Sequence, residues 1–198
     1  FHVEEYLEKN GMEAVLPRIT YQFRKDFQAA NSEIRDFGAH LAPYSFALDA
    51  AVEGIQRHLE RIAMAHPLYH KAARPQDLYA GVSGIIPKTL TCGEGWLMAG
   101  EIAHYAAEGV RSFIILQPFG CLPNHVCGRG VTKRLKELFP GIQILPLDLD
   151  PDTSYANVEN RLQMLIMNQS AERAAPESPE KIARRTGRSG YHRPLTST

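Results

Sequence analysis

The chain has 198 residues, is 44% hydrophobic and carries 22 basic against 22 acidic side chains. That length and composition suit one domain with a core of its own, and the charge balance gives neither a nucleic-acid footprint nor a membrane-surface charge. Three cysteines form an odd set without a secretory signal, which excludes a disulfide framework and points to a cytoplasmic protein, and no apolar run approaches the roughly 20 residues of a membrane span.

Val3, Tyr6 and Leu7 opposite charged neighbours predict an amphipathic helix over Phe1 to Asn10, stopped at Asn10-Gly11. A chain that opens on Phe1 inside an element reads as the C-terminal lobe of a longer protein. Met12 to Leu16, closed by Pro17, reads as a short strand. Tyr21 to His40 mixes aromatics and charges without a clean period. Tyr44 to Ala65 regains helical spacing through Phe46, Ala50, Ile55, Leu59 and Ile62, and His66-Pro67 ends it. Arg74-Pro75 marks a further break.

Thr91-Cys92-Gly93-Glu94-Gly95 has the form of a tight turn, with glycines where backbone segments approach closely, and feeds a helix from Trp96 to Glu108. Phe113 to Leu116 is an apolar run expected of a strand covered on both faces. The loop Gln117 to His125 follows, then a helix from Val126 to Phe139, a turn at Pro140-Gly141 and a second strand from Ile142 to Leu147. Asp148 to Thr153 leads to a last helix through Val158, Leu162, Leu165 and Ile166. Strands joined by helical crossovers predict a Rossmann-like α/β fold with a parallel sheet, whose ligands bind beyond the carboxyl ends of the strands. The loops after the two strands should then lie side by side, with the Cys92 turn at the same end. The domain is expected over residues 1–168, and 169–198, rich in Ser, Pro, Arg and Gly, is expected to be a disordered polar tail.

Cys121 lies between Gly120 and Leu122-Pro123 just past a core strand, where a thiolate would be presented at the sheet end. Such a sulfur suits iron and iron–sulfur clusters, while the competing reading is a buried cysteine acting as a small hydrophobe. Cys127, at the start of the next helix, would have its thiol pKa lowered by free N–H groups if it were reactive; a core or incidental role is the simpler account, and Cys92 is read likewise. The spacing of Cys121 and Cys127 is not that of a self-contained metal motif. A cysteine-hydrolase reading would pair Cys121 with His125 as base and Asn124 as orienting group. Gly93-Glu94-Gly95 and Gly128-Arg129-Gly130 do not complete a phosphate-loop motif, and Asp148, Asp150 and Asp152 read as a helix-entry loop rather than a cation site.

Three strings resemble one family: Gly93-Glu94-Gly95-Trp96-Leu97, then Gln117-Pro118-Phe119-Gly120-Cys121-Leu122-Pro123-Asn124-His125, then Leu147-Asp148-Leu149-Asp150 with Asn157, Asn160 and Arg161. The family is the acyl-CoA dehydratase activase-related group, similar to the component D subunits of 2-hydroxyglutaryl-CoA dehydratase and benzoyl-CoA reductase. The resemblance runs from about Phe1 to Met167. It implies an oxygen-sensitive 4Fe-4S or related cluster used in low-potential electron transfer, with Cys121 as one metal ligand and Gln117, Asn124 and His125 around it. It further implies an ATP-dependent activase domain or subunit as partner and an acyl-CoA substrate. The upstream cysteine segment of that family has no counterpart here, and no ligand role carries over to Cys92 or Cys127. A metal-free domain that docks an activase or dehydratase partner is the alternative.

Overall fold

In a computed structural model the described residues are 2–38, 44–67, 69 and 73–174. The chain is an α/β protein in which helices surround a small parallel sheet. The elements are α1 (Val3–Lys9), α2 (Ile19–Phe37), α3 (Tyr44–Ala63), α4 (Pro75–Gly81), α5 (Trp96–Ala107), β1 (Ser112–Pro118), α6 (Leu122–Asn124), a π-helical turn (His125–Arg129), α7 (Thr132–Leu138), β2 (Gln143–Leu149) and α8 (Tyr155–Ala174). The two strands pair in parallel from Ser112 with Gln143 to Pro118 with Leu149, so the sheet among the described residues has two strands.

Alternate side chains of a strand point to opposite faces. Phe113, Ile115 and Ile144 pack into a core with Trp96, Ile102, Cys127 and Leu135. Ile114, Leu145 and Leu147 pack on the other side with Val3, Leu7, Val158 and Leu162. Helices α5 and α7 thus cover one face and α1 and α8 the other, which explains why both strands read as almost continuous apolar runs.

Three sequence expectations change. Met12 to Leu16 is not a strand: residues 12–18 carry no regular structure. Met12 donates its N–H to the Leu7 carbonyl at 3.0 Å, and Met12 and Ala14 lie against the α1–α8 core. The apolar residues there pack an irregular segment on that core instead of pairing in a ladder. The unclear stretch from Tyr21 is the body of α2, whose period was hidden because its buried residues include Arg24, Lys25, Gln28, Asn31 and Ser32. The last helix continues to Ala174, past the expected tail boundary at Gln169. Phe1, His40 and the remainder of that tail, 175–198, lie outside the described residues.

The α2–α3 pair is held by polar groups. Arg24 Nε donates to Asp49 Oδ1 at 2.6 Å and Arg24 Nη2 to Glu53 Oε2 at 3.1 Å. Gln28 Nε2 reaches Asp49 Oδ2 at 2.6 Å, and Ser45 Oγ reaches Asn31 Oδ1 at 2.7 Å. The apolar residues that revealed α3 in the sequence, among them Ile55, Leu59 and Ile62, are more than half exposed.

Candidate functional site

The site is built where β1 and β2 end. Gln117 and Asp148 are register partners on the face shared with α5 and α7. Their side chains meet: Gln117 Nε2 donates to Asp148 Oδ1, and Arg129 Nη2 donates to Asp148 Oδ2 at 2.5 Å. The Gln117 amide first, then the Arg129 guanidinium, hold the Asp148 carboxyl below its ordinary range. Gln117 therefore belongs to the strand rather than to the loop, and is 1% exposed.

The chain leaves β1 through Phe119 and Gly120, with the Phe119 N–H donating to the Leu149 carbonyl at 3.0 Å. The two loops lie side by side, as expected. Cys121 precedes the short helix α6, and Pro123 in the first turn suits a position whose N–H has no helical acceptor. The helix expected from Val126 starts earlier and is interrupted. The Gly130 N–H bonds to the His125 carbonyl at 2.7 Å, closing a five-residue π-helical turn before α7 begins. Such turns recur at functional sites because they re-aim side chains within a helix.

Asn124 is 3% exposed and its Nδ2 donates to Cys121 Sγ at 3.1 Å. His125 Nδ1 lies 2.8 Å from the Cys121 carbonyl oxygen, an acceptor only, so Nδ1 is assigned the proton. His125 Nε2 faces Asp148 Oδ1 at 3.9 Å. Cys121 is half-buried. Gln117, Cys121, Asn124 and His125 are thus one cluster, joined by Asp148 and Arg129. Sequence reading missed the role of these last two; the in-register meeting of the strands is the signal that pairs Asp148 with Gln117.

The cysteine-hydrolase arrangement is not formed. His125 spends Nδ1 on backbone instead of the thiol, and Asn124, expected to orient the imidazole, bonds the sulfur itself. Cys127 does not stand at an open helix start. It is 1% exposed inside the α5–α7 core, where burial pushes its thiol pKa up rather than down. The exposed Cys92 sits in a turn at the same end of the sheet as Cys121. A Cβ on Gly93 would come within 2.6 Å of Pro123 Cβ, so the two loops are in contact and only glycine fits. Lys25, 2% exposed at its side chain, donates Nζ to the Thr91 carbonyl at 2.6 Å and also to the Gly93 carbonyl, pinning the turn from α2. In the Asp148–Thr153 loop, Asp150 Oδ1 accepts from the Asp152 N–H at 2.9 Å and from Thr153 Oγ1 at 3.0 Å, as a helix-entry loop does.

Among the described residues no group of three or more His, Cys, Asp or Glu side chains is placed to hold a metal ion. Cys121 offers one thiol with an amide N–H on its sulfur, which fits the part of a single ligand and not a complete site. Gln117 Oε1 and Asn124 Oδ1 are buried without a hydrogen-bond partner among these residues, so the cluster keeps unused acceptor capacity.

No family model matches the chain, and neither a curated protein nor a solved structure matches it significantly. The class that fold and site define is therefore an α/β domain with a thiol, an amide pair and an Asp–Arg pair gathered at the carboxyl end of a parallel sheet. No described helix is long and apolar enough to cross a membrane.

Proposed function

We propose that this chain is the C-terminal, Rossmann-like domain of a cytoplasmic 2-hydroxyacyl-CoA dehydratase-like protein of the activase-related group, and that Cys121 is one ligand of its iron–sulfur cluster. The observation that carries the reading is the Asn124 Nδ2 bond to Cys121 Sγ at 3.1 Å, from a side chain 3% exposed. A buried amide donor aimed at the sulfur suits a metal-bound ligand, because an N–H stabilises the negative charge that a metal-bound sulfur carries. The remaining ligands would come from sequence or subunits beyond these 198 residues.

A bound cluster would supply single low-potential electrons to an acyl-CoA or related substrate, received from an ATP-dependent activase partner. The residues of this chain hold the sulfur and its surroundings. Asn124 orients Cys121, His125 fixes the Cys121 carbonyl, and Gln117 with Arg129 keeps Asp148 ionised at the edge of the site. The tight turn of Gly93 packs against Pro123 on one side of the Cys121 loop.

The test is iron and acid-labile sulfide content of the natural full-length protein purified without oxygen, beside its Cys121→Ser and Cys92→Ser variants. Several irons per chain, lost in Cys121→Ser and kept in Cys92→Ser, are expected. A folded, iron-free wild type sinks the reading and leaves the metal-free docking domain. One observation favours that second reading: the outward apolar residues of α3 would be covered by a partner such as an activase or dehydratase subunit.

A further inference from the structure

A cationic groove opens on the flank of the sheet, away from the thiol. Its walls are α7 and α8 and its floor is the free side of β2 at Pro146, and it is a shallow, open depression of about 830 Å³. Arg129, Lys133 and Lys136 recur at three- and four-residue intervals, so they share one side of this helical stretch. Arg161 projects from α8 and donates Nη2 to the Pro146 carbonyl at 2.6 Å, which satisfies an edge acceptor of β2 and fixes the guanidinium at the floor.

The charge in this groove is not balanced locally, although the whole chain is neutral. Arg129 is offset by Asp148 at 2.5 Å, and the one carboxylate in the lining, Glu137, is drawn to Arg134 at 3.4 Å. Lys133 and Lys136 have neither a hydrogen bond nor an ion pair among the described residues, and Arg161 bonds only an uncharged carbonyl. Lys133, Lys136 and Arg161 therefore face one carboxylate, Glu137, which is shared with Arg134, and the lining keeps a net positive charge. Like charges gathered on one concave surface repel one another and are retained at a cost unless an anion sits between them. The mixture of ammonium groups and an anchored guanidinium suits phosphoryl oxygens, which accept from both, and the volume falls within the range of small-molecule sites, about 300–1,000 Å³.

We propose that the groove between α7, β2 and α8 binds a phosphate-bearing ligand through Lys133, Lys136 and Arg161. Arg129 is shared between the groove and the Asp148 pair, so a ligand seated there reaches the edge of the Cys121 cluster. In that sense the inference deepens the function proposed above and rests on it for its purpose, but anion binding itself needs no cluster.

Calorimetric titration of the natural full-length protein with inorganic pyrophosphate, and separately with a bis-phosphoserine peptide, tests it. The variant is Lys133→Glu/Lys136→Glu. Its control, Lys9→Glu/Arg61→Glu, makes the same change of charge on α1 and α3, with circular dichroism checking the fold of both. Saturable binding that weakens about tenfold or more in the groove variant and is kept in the control is expected, since two charge-assisted contacts are lost. The tighter of the two probes tells whether the phosphate belongs to a small molecule or to a peptide. Absence of saturable binding, or equal weakening in both variants, overturns the groove. Iron content measured on the same preparations separates this failure from failure of the cluster reading, because the groove variant is expected to retain whatever iron the wild type holds.

Discussion

At the scale of single residues, the three cysteines are divided by burial, and burial governs what each can do. Cys92 is exposed, Cys121 half-buried under an amide, and Cys127 enclosed with its thiol pKa raised by loss of water. Thiolate fraction and access together set alkylation rate. Iodoacetamide on the native protein is therefore expected to modify Cys92 first, Cys121 more slowly, and Cys127 only in denaturant, as read by peptide mass spectrometry over time. Modification of Cys127 at a rate near that of Cys92 in the folded protein would contradict its place in the core. Sequence placed Cys121 at the end of a strand because an apolar run stops just before it. Its preferred reading of Cys127 as a core residue holds, but it could not give the π-helical turn that carries the residue inward, since that turn shifts the facing of every residue from His125 to Arg129.

At the scale of elements, legibility followed the hydrophobic pattern. The strands, α5 and α8 bury apolar residues at their own periods, so sequence located them to within a few residues. Helix α2 escaped because its inward side is ionic, and α3 was found through apolar residues that face outward while Ser45, Asp49 and Gln56 turn inward. Hydropathy alone assigns such a hairpin the wrong inside. The Arg24–Asp49 pair at 2.6 Å, with side chains 2% and 10% exposed, is the element's central contact. Removing one member of a buried pair strands the other, typically at about 3–5 kcal/mol, whereas replacing both with apolar groups is often neutral. Arg24→Met is expected to lower the unfolding free energy measured by urea denaturation by an amount in that range, and Arg24→Met/Asp49→Leu to recover most of it. A double variant as unstable as the single one would show that Glu53 and Gln28, which share the network, carry the larger part.

For the molecule as a whole, stability against pH joins groups that no single element contains. Glu101 on α5 has its carboxyl pKa pushed up to about 8 by burial, and its Oε1 has no hydrogen-bond partner among the described residues. Tyr21 of α2 and Tyr105 of α5 lie near enough for an ionised Glu101 to raise their own pKa values, and neither supplies a cation. The folded state thus keeps a proton on Glu101 that the unfolded chain releases near the ordinary glutamate value of about 4.3. Between those two values the folded state binds more protons, so stability falls as pH rises through that window and levels off above about 8. Asp148 and Glu53 act in the opposite sense. Their carboxyls are lowered by Gln117 and Arg129 in one case and by Arg57 and Arg24 in the other, so their contribution is present above the unfolded value and lost as pH falls through the folded one. The two sets are opposed: Glu101 weakens the fold as pH rises, and Asp148 and Glu53 weaken it as pH falls. Glu101→Gln removes the alkaline limb alone: equilibrium denaturation is expected to show the variant more stable than wild type at pH 8 by roughly 4–5 kcal/mol, as linkage between a folded value of about 8 and an unfolded one of about 4.3 requires, and equal to it near pH 4. A wild-type profile flat from pH 5 to 8 would mean that Glu101 reaches water or a partner on folding, and that its burial beside the two tyrosines does not control the pH response of the fold.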